Sequence, residues 1–364
     1  MRVLVVNAGS SSLKLRLLDG ADTVAETADL PADAGGFDTG AVRATVGEWP
    51  PPDRVGHRVV HGGTEFTGAV LVDPEVTARV RALADLAPLH QRKSLAGLAA
   101  VTQALPAVPA VACFDTAFHR TLPPEVSTYP VPASWRRRWG VRRYGFHGLS
   151  HAYASRRALE LTGLARDGSR VVTCHLGAGA SLCAVRDGCS VDTTMGFTPL
   201  DGLVMATRSG SLDPGLVLWL EEHEGLRPAQ VALALEERSG LFALAGTGDM
   251  REVERRAADG DEDARLALQV YAHRLAAGVA AMAAALGGMD VLVFTGGVGE
   301  NSARVRAEAG ARLGWLGVGV DPEQNAGTAP DAEITGRGAA VRTLVIEARE
   351  DLQIAAEVRA VAIG

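Results

Sequence analysis

A strand–turn–strand unit that occurs twice at one spacing restricts this chain more than any other feature. In the first copy the β-branched run Arg2–Val6 breaks at Asn7-Ala8-Gly9-Ser10-Ser11-Ser12, a turn-forming polar stretch. Leu13–Leu18 then resumes as a strand, with Leu13, Leu15 and Leu17 alternating against Lys14 and Arg16, and Asp19-Gly20 closes a hairpin. In the second copy Val171–Cys174 leads into the small-residue turn His175-Leu176-Gly177-Ala178-Gly179-Ala180. Ser181–Val185 forms the next strand and Asp187-Gly188 ends it. Gly9 and Gly177, Asp19 and Asp187, and Gly20 and Gly188 are each 168 positions apart. Either one fold is duplicated, one copy per domain, or two unrelated hairpins share turn chemistry. A length of 364 residues exceeds one typical core and suits two domains.

A third glycine turn, Thr295-Gly296-Gly297-Val298-Gly299-Glu300-Asn301, follows the apolar strand Val291–Phe294. It predicts a helix capped by Asn301 or Ser302. Helical periodicity runs over Leu149–Leu161, Gly215–His223, Pro228–Arg238, Ala264–Leu286 and Asp351–Ala362. Strands followed by helices, twice over, indicate an α/β architecture.

The net charge of −7 gives no global field that favours nucleic acid or an anionic membrane. The apolar N-terminal run is far shorter than the ~7–15 residues of a secretory leader, and no run approaches the ~20 of a membrane span. Cys113, Cys174, Cys183 and Cys189 form no CxxC pair and read as buried thiols of a reducing compartment. The expectation is a cytoplasmic protein with neither a nucleic-acid nor a membrane partner.

Several motifs carry chemistry. Around Gly9, small residues let backbone N–H groups approach phosphate oxygens, while Ser10, Ser12 and Lys14 add donors and a point charge. Asn7 can reach a phosphate or a hydrated metal ion. A polar hairpin turn without a ligand explains the same residues. The GxxxxGK(S/T) loop is absent, because neither Lys14 nor Lys93, the only lysines, follows a glycine. Arg58, in Gly56-His57-Arg58-Val59-Val60-His61-Gly62-Gly63, and Arg208, in Ala206-Thr207-Arg208-Ser209-Gly210, suit bidentate binding of carboxylate or phosphate. The alternative is a surface arginine near a turn. His57/His61 and His147/His151 have the i, i+4 spacing of a zinc site, but HExxH is absent and the carboxylate needed as base or third ligand is not obvious. Asp115 follows a strand over Val108–Cys113, and strand C-termini are where open α/β sheets bind ligands. His147 sits at the mouth of a predicted helix, placed to donate to a phosphoryl group.

Together these segments resemble the acetate kinase family. The matching stretches are NAGSSSLK at Asn7–Lys14, HRVVHGG at His57–Gly63, APLH at Ala87–His90, FDTAFH at Phe114–His119 and YGFHG at Tyr144–Gly148. GFTPLDGLVMATRSG at Gly196–Gly210, DMR at Asp249–Arg251 and TGGVGEN at Thr295–Asn301 complete the set, in the family's order. The resemblance implies the duplicated ribonuclease-H-like fold of sugar kinases, heat-shock 70 ATPases and actin, with two domains around a nucleotide cleft. Residues 1–117 plus 350–364 would form the N-terminal domain, the last helix returning to it, and residues 118–349 the nucleotide-binding domain.

The implied reaction is reversible phosphoryl transfer from ATP to acetate, giving acetyl phosphate and ADP, with Mg²⁺, or Mn²⁺ in its place. A propionate or other short-chain carboxylate kinase, or a weakly active nucleotide-binding relative, is the alternative. On that resemblance Arg58 and Arg208 hold the acid's carboxylate and the phosphoryl group, His147 stabilises the equatorial oxygens, and Asp115 positions groups around the attacking carboxylate. Val60, Leu89, Phe146 and Pro199 line the methyl pocket. Asn7 and Glu350 hold the metal, largely through water. Ser10, Ser12, Lys14, His175, Leu176, Gly177, Ala178, Gly179, Asp249, Met250, Arg251, Gly297, Val298, Gly299, Glu300 and Asn301 bind nucleotide. The family also implies a homodimer. Two departures stand out: Ala178 occupies a position where the family has asparagine, and Arg349 precedes Glu350 where the family has a Thr-Asn-Glu-Glu-like run.

Overall fold

The computed structural model describes residues 1–9, 12–32, 36–84, 88–327 and 329–362, with the backbone alone at 88–90. The chain divides into two compact units. The first comprises Met1–Arg120, Phe146–Tyr153 and Arg349–Gly364; the second comprises Thr121–Gly145 and Ala154–Ala348.

Each unit is built on a six-stranded sheet. In the first, β1 (Val3–Ala8), β2 (Ser12–Leu18), β3 (Val24–Pro31), β4 (Arg54–Val59), β5 (Val70–Leu71) and β6 (Ala110–Phe114) lie in the order β3-β2-β1-β4-β6-β5. In the second, β7 (Arg170–Leu176), β8 (Ala180–Arg186), β9 (Cys189–Thr193), β10 (Val291–Thr295), β11 (Ala332–Glu333) and β12 (Arg342–Val345) run, from one edge, β9-β8-β7-β10-β12-β11. Both sheets combine an antiparallel three-strand meander, two further parallel strands and a short antiparallel edge strand. The repeated hairpin is therefore a true duplication of a ribonuclease-H-like fold, not shared turn chemistry.

The copies differ in one respect that spacing alone conceals. Ala8 pairs with Leu13, four positions lying between them in sequence, whereas Leu176 pairs with Ala180, with only three between. The second hairpin is tighter by one residue, so its partners slip by one relative to the 168-residue offset. Asn7, Ala8, His175 and Leu176, read from sequence as turn, are the last residues of β1 and β7.

Alternation along β1 determines how the first unit packs. Leu4 and Val6 face a core with Leu13, Leu15, Leu17, Val42 and Val46. Val3 and Val5 face the opposite side, with Val111, Cys113, Leu149, Ile354, Ala355 and Val358. The chain's last helix, Glu350–Ala360, thus covers one face of its first strand. In the second unit the helix Glu262–Leu286 lies on β7, β8 and β9. A Cβ at Gly278 would stand 2.7 Å from Leu182 Cδ1, so glycine permits that approach. The third glycine turn is itself a short helix, Gly296–Asn301. Ser302 caps the following helix, Ala303–Arg312, accepting from the Val305 amide at 3.0 Å. Among the described residues, no helix is long and apolar enough to cross a membrane.

Gly56 on β4 is the tightest contact under the last helix. A Cβ there would lie 2.6 Å from Ile354 Cγ2 and 2.7 Å from Val358 Cγ2. Both neighbours are β-branched and cannot rotate away cheaply. Gly56→Ala is expected to lower stability by about 1–3 kcal/mol, measured as the urea midpoint. An unchanged midpoint would show that the helix shifts at no cost.

Candidate active site

Three parallel strands deliver the polar residues of the first unit to one edge. β1 and β4 are paired with Val6 opposite His57, which sets Asn7 beside Arg58. β4 and β6 are paired with Val59 opposite Phe114, and Asp115 follows. The Arg58 guanidinium donates to Asp115 through two bonds, Nε to Oδ1 at 3.0 Å and Nη2 to Oδ2 at 2.6 Å. Its Nη1 donates to Asn7 Oδ1 at 3.2 Å. These bonds use three of the five guanidinium N–H groups and leave two for a ligand. Burial works against the Arg58 charge, but the Asp115 carboxylate and the nearby negative charge of Glu350 outweigh it and raise its pKa.

Asp115 is fixed on its backbone side as well. Its N–H donates to Val59 O at 3.0 Å and its carbonyl accepts from Gly148 N at 2.9 Å. A Cβ at Gly148 would lie 2.1 Å from that carbonyl, so only glycine can occupy the start of the helix Gly148–Thr162. The residue before it, His147, is held at φ 55°, an uncommon conformation for a non-glycine residue and one that concentrates at functional sites. Phe146 is buried edge-on against His61 at 5.4 Å, and its carbonyl meets His119 Nε2 at 3.0 Å. Val60 is buried just beyond the end of β4. Leu89 lies on a helix, Pro88–Ala104, where only its backbone is described, and Ser10 lies outside the described residues.

Glu350 opens the last helix. Arg349, which looked out of place beside it, points to Asp351 at 3.0 Å, and Arg16 joins the same carboxylate at 3.1 Å. Burial favours the neutral form of Asp351, but these two guanidiniums hold it below the ordinary carboxylate range. The Arg349 charge is thereby tied up within its own turn. Asn7 and Glu350 offer an amide oxygen and a carboxylate, the hard donors that suit a magnesium ion keeping most of its water. Among the described residues there is no group of three or more His, Cys, Asp or Glu that could hold a metal ion.

In the second unit Arg208 and Pro199 come together, Arg208 Nη1 donating to Pro199 O at 2.8 Å. Burial lowers the Arg208 pKa and the Glu236 carboxylate partly restores it. Glycine permits the turns of this segment: a Cβ at Gly210 (φ 71°) would lie 2.3 Å from Leu203 O. The Gly177–Gly179 turn is stitched to the same segment, since Ala206 N donates to Ala178 O at 3.1 Å. Ala178 contributes a backbone carbonyl here, and its side chain is exposed. Within the third turn, Glu300 Oε1 accepts from Gly296 N and Ala348 N, each at 2.9 Å, and Asn301 Nδ2 donates to Gly297 O at 2.8 Å. Open space faces Gly297. Asp249 caps the helix Met250–Ala258 and pairs with the exposed Arg251 at 2.7 Å, while Met250 is buried. Lys14 is exposed on β2, opposite Asn7.

Sequence reasoning missed Gln91 and Thr116. The buried Gln91 amide accepts from His61 N at 3.1 Å and donates to His61 O at 3.0 Å, and Thr116 Oγ1 accepts from Gly62 N at 3.0 Å. They fix the segment after Arg58. A lone glutamine in a helical pattern gives no signal of such a role.

Residues 52–356 match the model of the acetokinase family. The chain belongs to that family. Acetate kinases from Leifsonia xyli, 45% identical over all of this chain and 99% of that protein, and from Microcystis aeruginosa, 49% identical over 83% and 76%, are among its relatives. The solved acetate kinase of Porphyromonas gingivalis superposes with a TM-score of 0.89 at 37% identity, covering 98% of both chains. A propionate kinase from Francisella tularensis superposes with 0.92 at 34% identity and the same coverage. As an acetokinase, the chain is a phosphotransferase with a carboxyl group as acceptor.

The buried histidines of this acetokinase make its stability sensitive to acid. Burial depresses the pKa of His57, His61 and His119 to about 4. Unfolded, they would titrate near 6.5, so between those values the unfolded chain binds more protons. Stability is full above about pH 6.5 and falls as pH drops towards about 4. Urea midpoints at pH 7 and pH 5 check this. The midpoint should fall, and fall less in His119→Gln; equal midpoints would count against neutral buried histidines.

Proposed function

We propose that Arg58, Asp115, His147 and Arg208 carry out the transfer of the ATP γ-phosphoryl group to the carboxylate of acetate. The carboxylate oxygen attacks phosphorus, the bond to the bridging oxygen breaks, and ADP leaves as acetyl phosphate forms. Acetate is already ionised at neutral pH, so no residue need take a proton, and the work is positioning and charge stabilisation. The observation that carries this reading is the Arg58 fork, oriented by Asn7 and Asp115 with two N–H groups to spare.

Asp115 then acts through Arg58: it orients the guanidinium that holds an anion. His147, held at φ 55°, supplies a donor to the equatorial oxygens. Arg208, tied by a single bond to Pro199, keeps its remaining N–H groups for the phosphoryl group. Asn7 and Glu350 would hold Mg²⁺, with Mn²⁺ as a substitute, and the ion would neutralise phosphate charge. Gly177 and Gly179 with Gly297–Gly299 would receive nucleotide through backbone groups. Ser10, Ser12, Lys14, His175, Asp249 and Arg251 complete that set. Val60, Leu89, Phe146 and Pro199 are the residues this reading assigns to the acid's methyl group. The propionate kinase among the structural neighbours keeps a longer acid in view, because a methylene is worth only ~1–3 kcal/mol in such a pocket. The same reading makes the protein cytoplasmic and homodimeric. The apolar side chains Leu216, Leu218 and Trp219, exposed on the helix Pro214–Glu222, support the dimer.

A hydroxamate assay with ATP, Mg²⁺ and acetate, propionate or butyrate tests the reaction. Acetate should give the largest kcat/KM. A properly folded preparation that phosphorylates sugars and none of these acids would overturn the reading.

Arg208→Ala is expected to lower kcat by ~10³-fold or more with little change in ATP affinity, as for other charge-stabilising arginines in phosphoryl transfer. Arg208→Lys should fail too, since lysine lacks the fork. Near-normal kcat in the lysine variant would reduce the role of Arg208 to its net charge.

A further inference from the structure

Between Glu125 and Glu160 the chain has no acidic residue and seven arginines, in a protein whose net charge is −7. Four of the seven are engaged internally. Arg136 Nη1 donates to the carbonyls of Tyr129 and Val131 at 3.1 and 2.6 Å. Arg143 Nη1 donates to the carbonyls of Thr193, Thr194 and Met195 and lies 3.4 Å from Asp201. Arg156 and Arg157 pair with Glu160, and Arg157 also with Asp331. Arg137, Arg138 and Arg142 are left without a carboxylate partner among the described residues.

Two of these three arginines sit on a helix, Ala133–Trp139, that buries none of its side chains. The helix is nevertheless well anchored. Arg136 ties it to the preceding segment, Gly140 ends it at φ 61°, and Tyr144 Oη donates to Gly140 O at 2.8 Å. Trp135 and Trp139, one turn apart, are 48% and 51% exposed, with ring centroids 5.9 Å apart. The Arg138 guanidinium lies 5.5 Å from the centre of the Trp139 ring, and Arg142 covers Tyr144 at 5.9 Å. A rigidly held helix thus presents two indoles and unpaired guanidiniums, although its own packing needs neither.

We propose that this helix docks the protein on the surface of an anionic lipid bilayer. Arginine heads meet lipid phosphates while the indoles enter the boundary just beneath them, the layer in which tryptophan is enriched. The charge that the whole chain lacks is supplied locally. Three basic residues and two aromatic rings give a weak, reversible, salt-sensitive attachment, not insertion. Nucleic acid fits the geometry less well. The two indoles touch and are tilted by 49°, so they cannot sandwich a base, and the short helix forms no groove to track a strand.

Cosedimentation of the full-length protein with sucrose-loaded vesicles tests the proposal. Vesicles of phosphatidylglycerol mixed with phosphatidylcholine should pellet the protein at low salt and release it at high salt. Vesicles of phosphatidylcholine alone should not pellet it. Arg137→Glu with Arg138→Glu, and separately Trp135→Ala with Trp139→Ala, should each reduce partitioning by roughly tenfold or more, and the acetate kinase kcat/KM should stay unchanged. The milder Arg137→Gln with Arg138→Gln variant serves if charge reversal impairs folding, and unchanged kcat/KM certifies the fold. Wild-type protein remaining in the supernatant, equal binding to both vesicle types, or unaltered binding in both variant pairs overturns the proposal. Retention on single-stranded DNA through the same arginines, without vesicle binding, would do so by assigning the face to nucleic acid.

Discussion

The bond pair between Arg58 and Asp115 is the constraint on which the first unit's polar edge depends. It joins the ends of two adjacent parallel strands, and Asn7 extends it to a third. An arginine left alone at a strand end would sweep through many rotamers. Here the carboxylate holds its plane and stabilises its charge against burial. What remains of the guanidinium is a short, oriented row of donors, the arrangement that bidentate anion recognition requires. The glycine at 148 belongs to the same construction, because it lets a helix start against the Asp115 backbone directly after His147 with its positive φ.

Much of the architecture could be read from the order of residues, because duplication leaves marks that survive divergence. Turn residues sit where hairpins need them, and the spacing between Gly9 and Gly177 located both sheets. The register within the second hairpin could not be read. One residue more or less in a loop changes pairing without changing composition, and only the backbone hydrogen bonds reveal it. The glycine turn at 296 was read as a loop preceding a helix, although it is helical itself. Glycine's low propensity is overridden there by Glu300, which reaches back to the Gly296 amide.

The candidate site was legible as a set of residue types and less so as a set of partners. Arg58 and Asp115 were picked out separately, but their mutual bond follows from β4 and β6 being neighbours, which sequence does not state. Gln91 and Thr116 were invisible because a buried amide and a buried hydroxyl matter only once the backbone they satisfy is known. Arg349 shows the reverse case: a residue that seemed to intrude on its neighbour proves to be paired two positions away.

The last helix lies on the first strand, and this has a consequence for how the molecule is made. A ribosome releases β1 some 340 residues before Glu350–Ala360. Until then Val3 and Val5 have no Ile354 or Val358 to lie against. Nearly all of the second unit, by contrast, is one continuous stretch of chain that is complete before the final helix emerges. The apolar face of β1 therefore stays open to wrong partners while the whole second unit is being made.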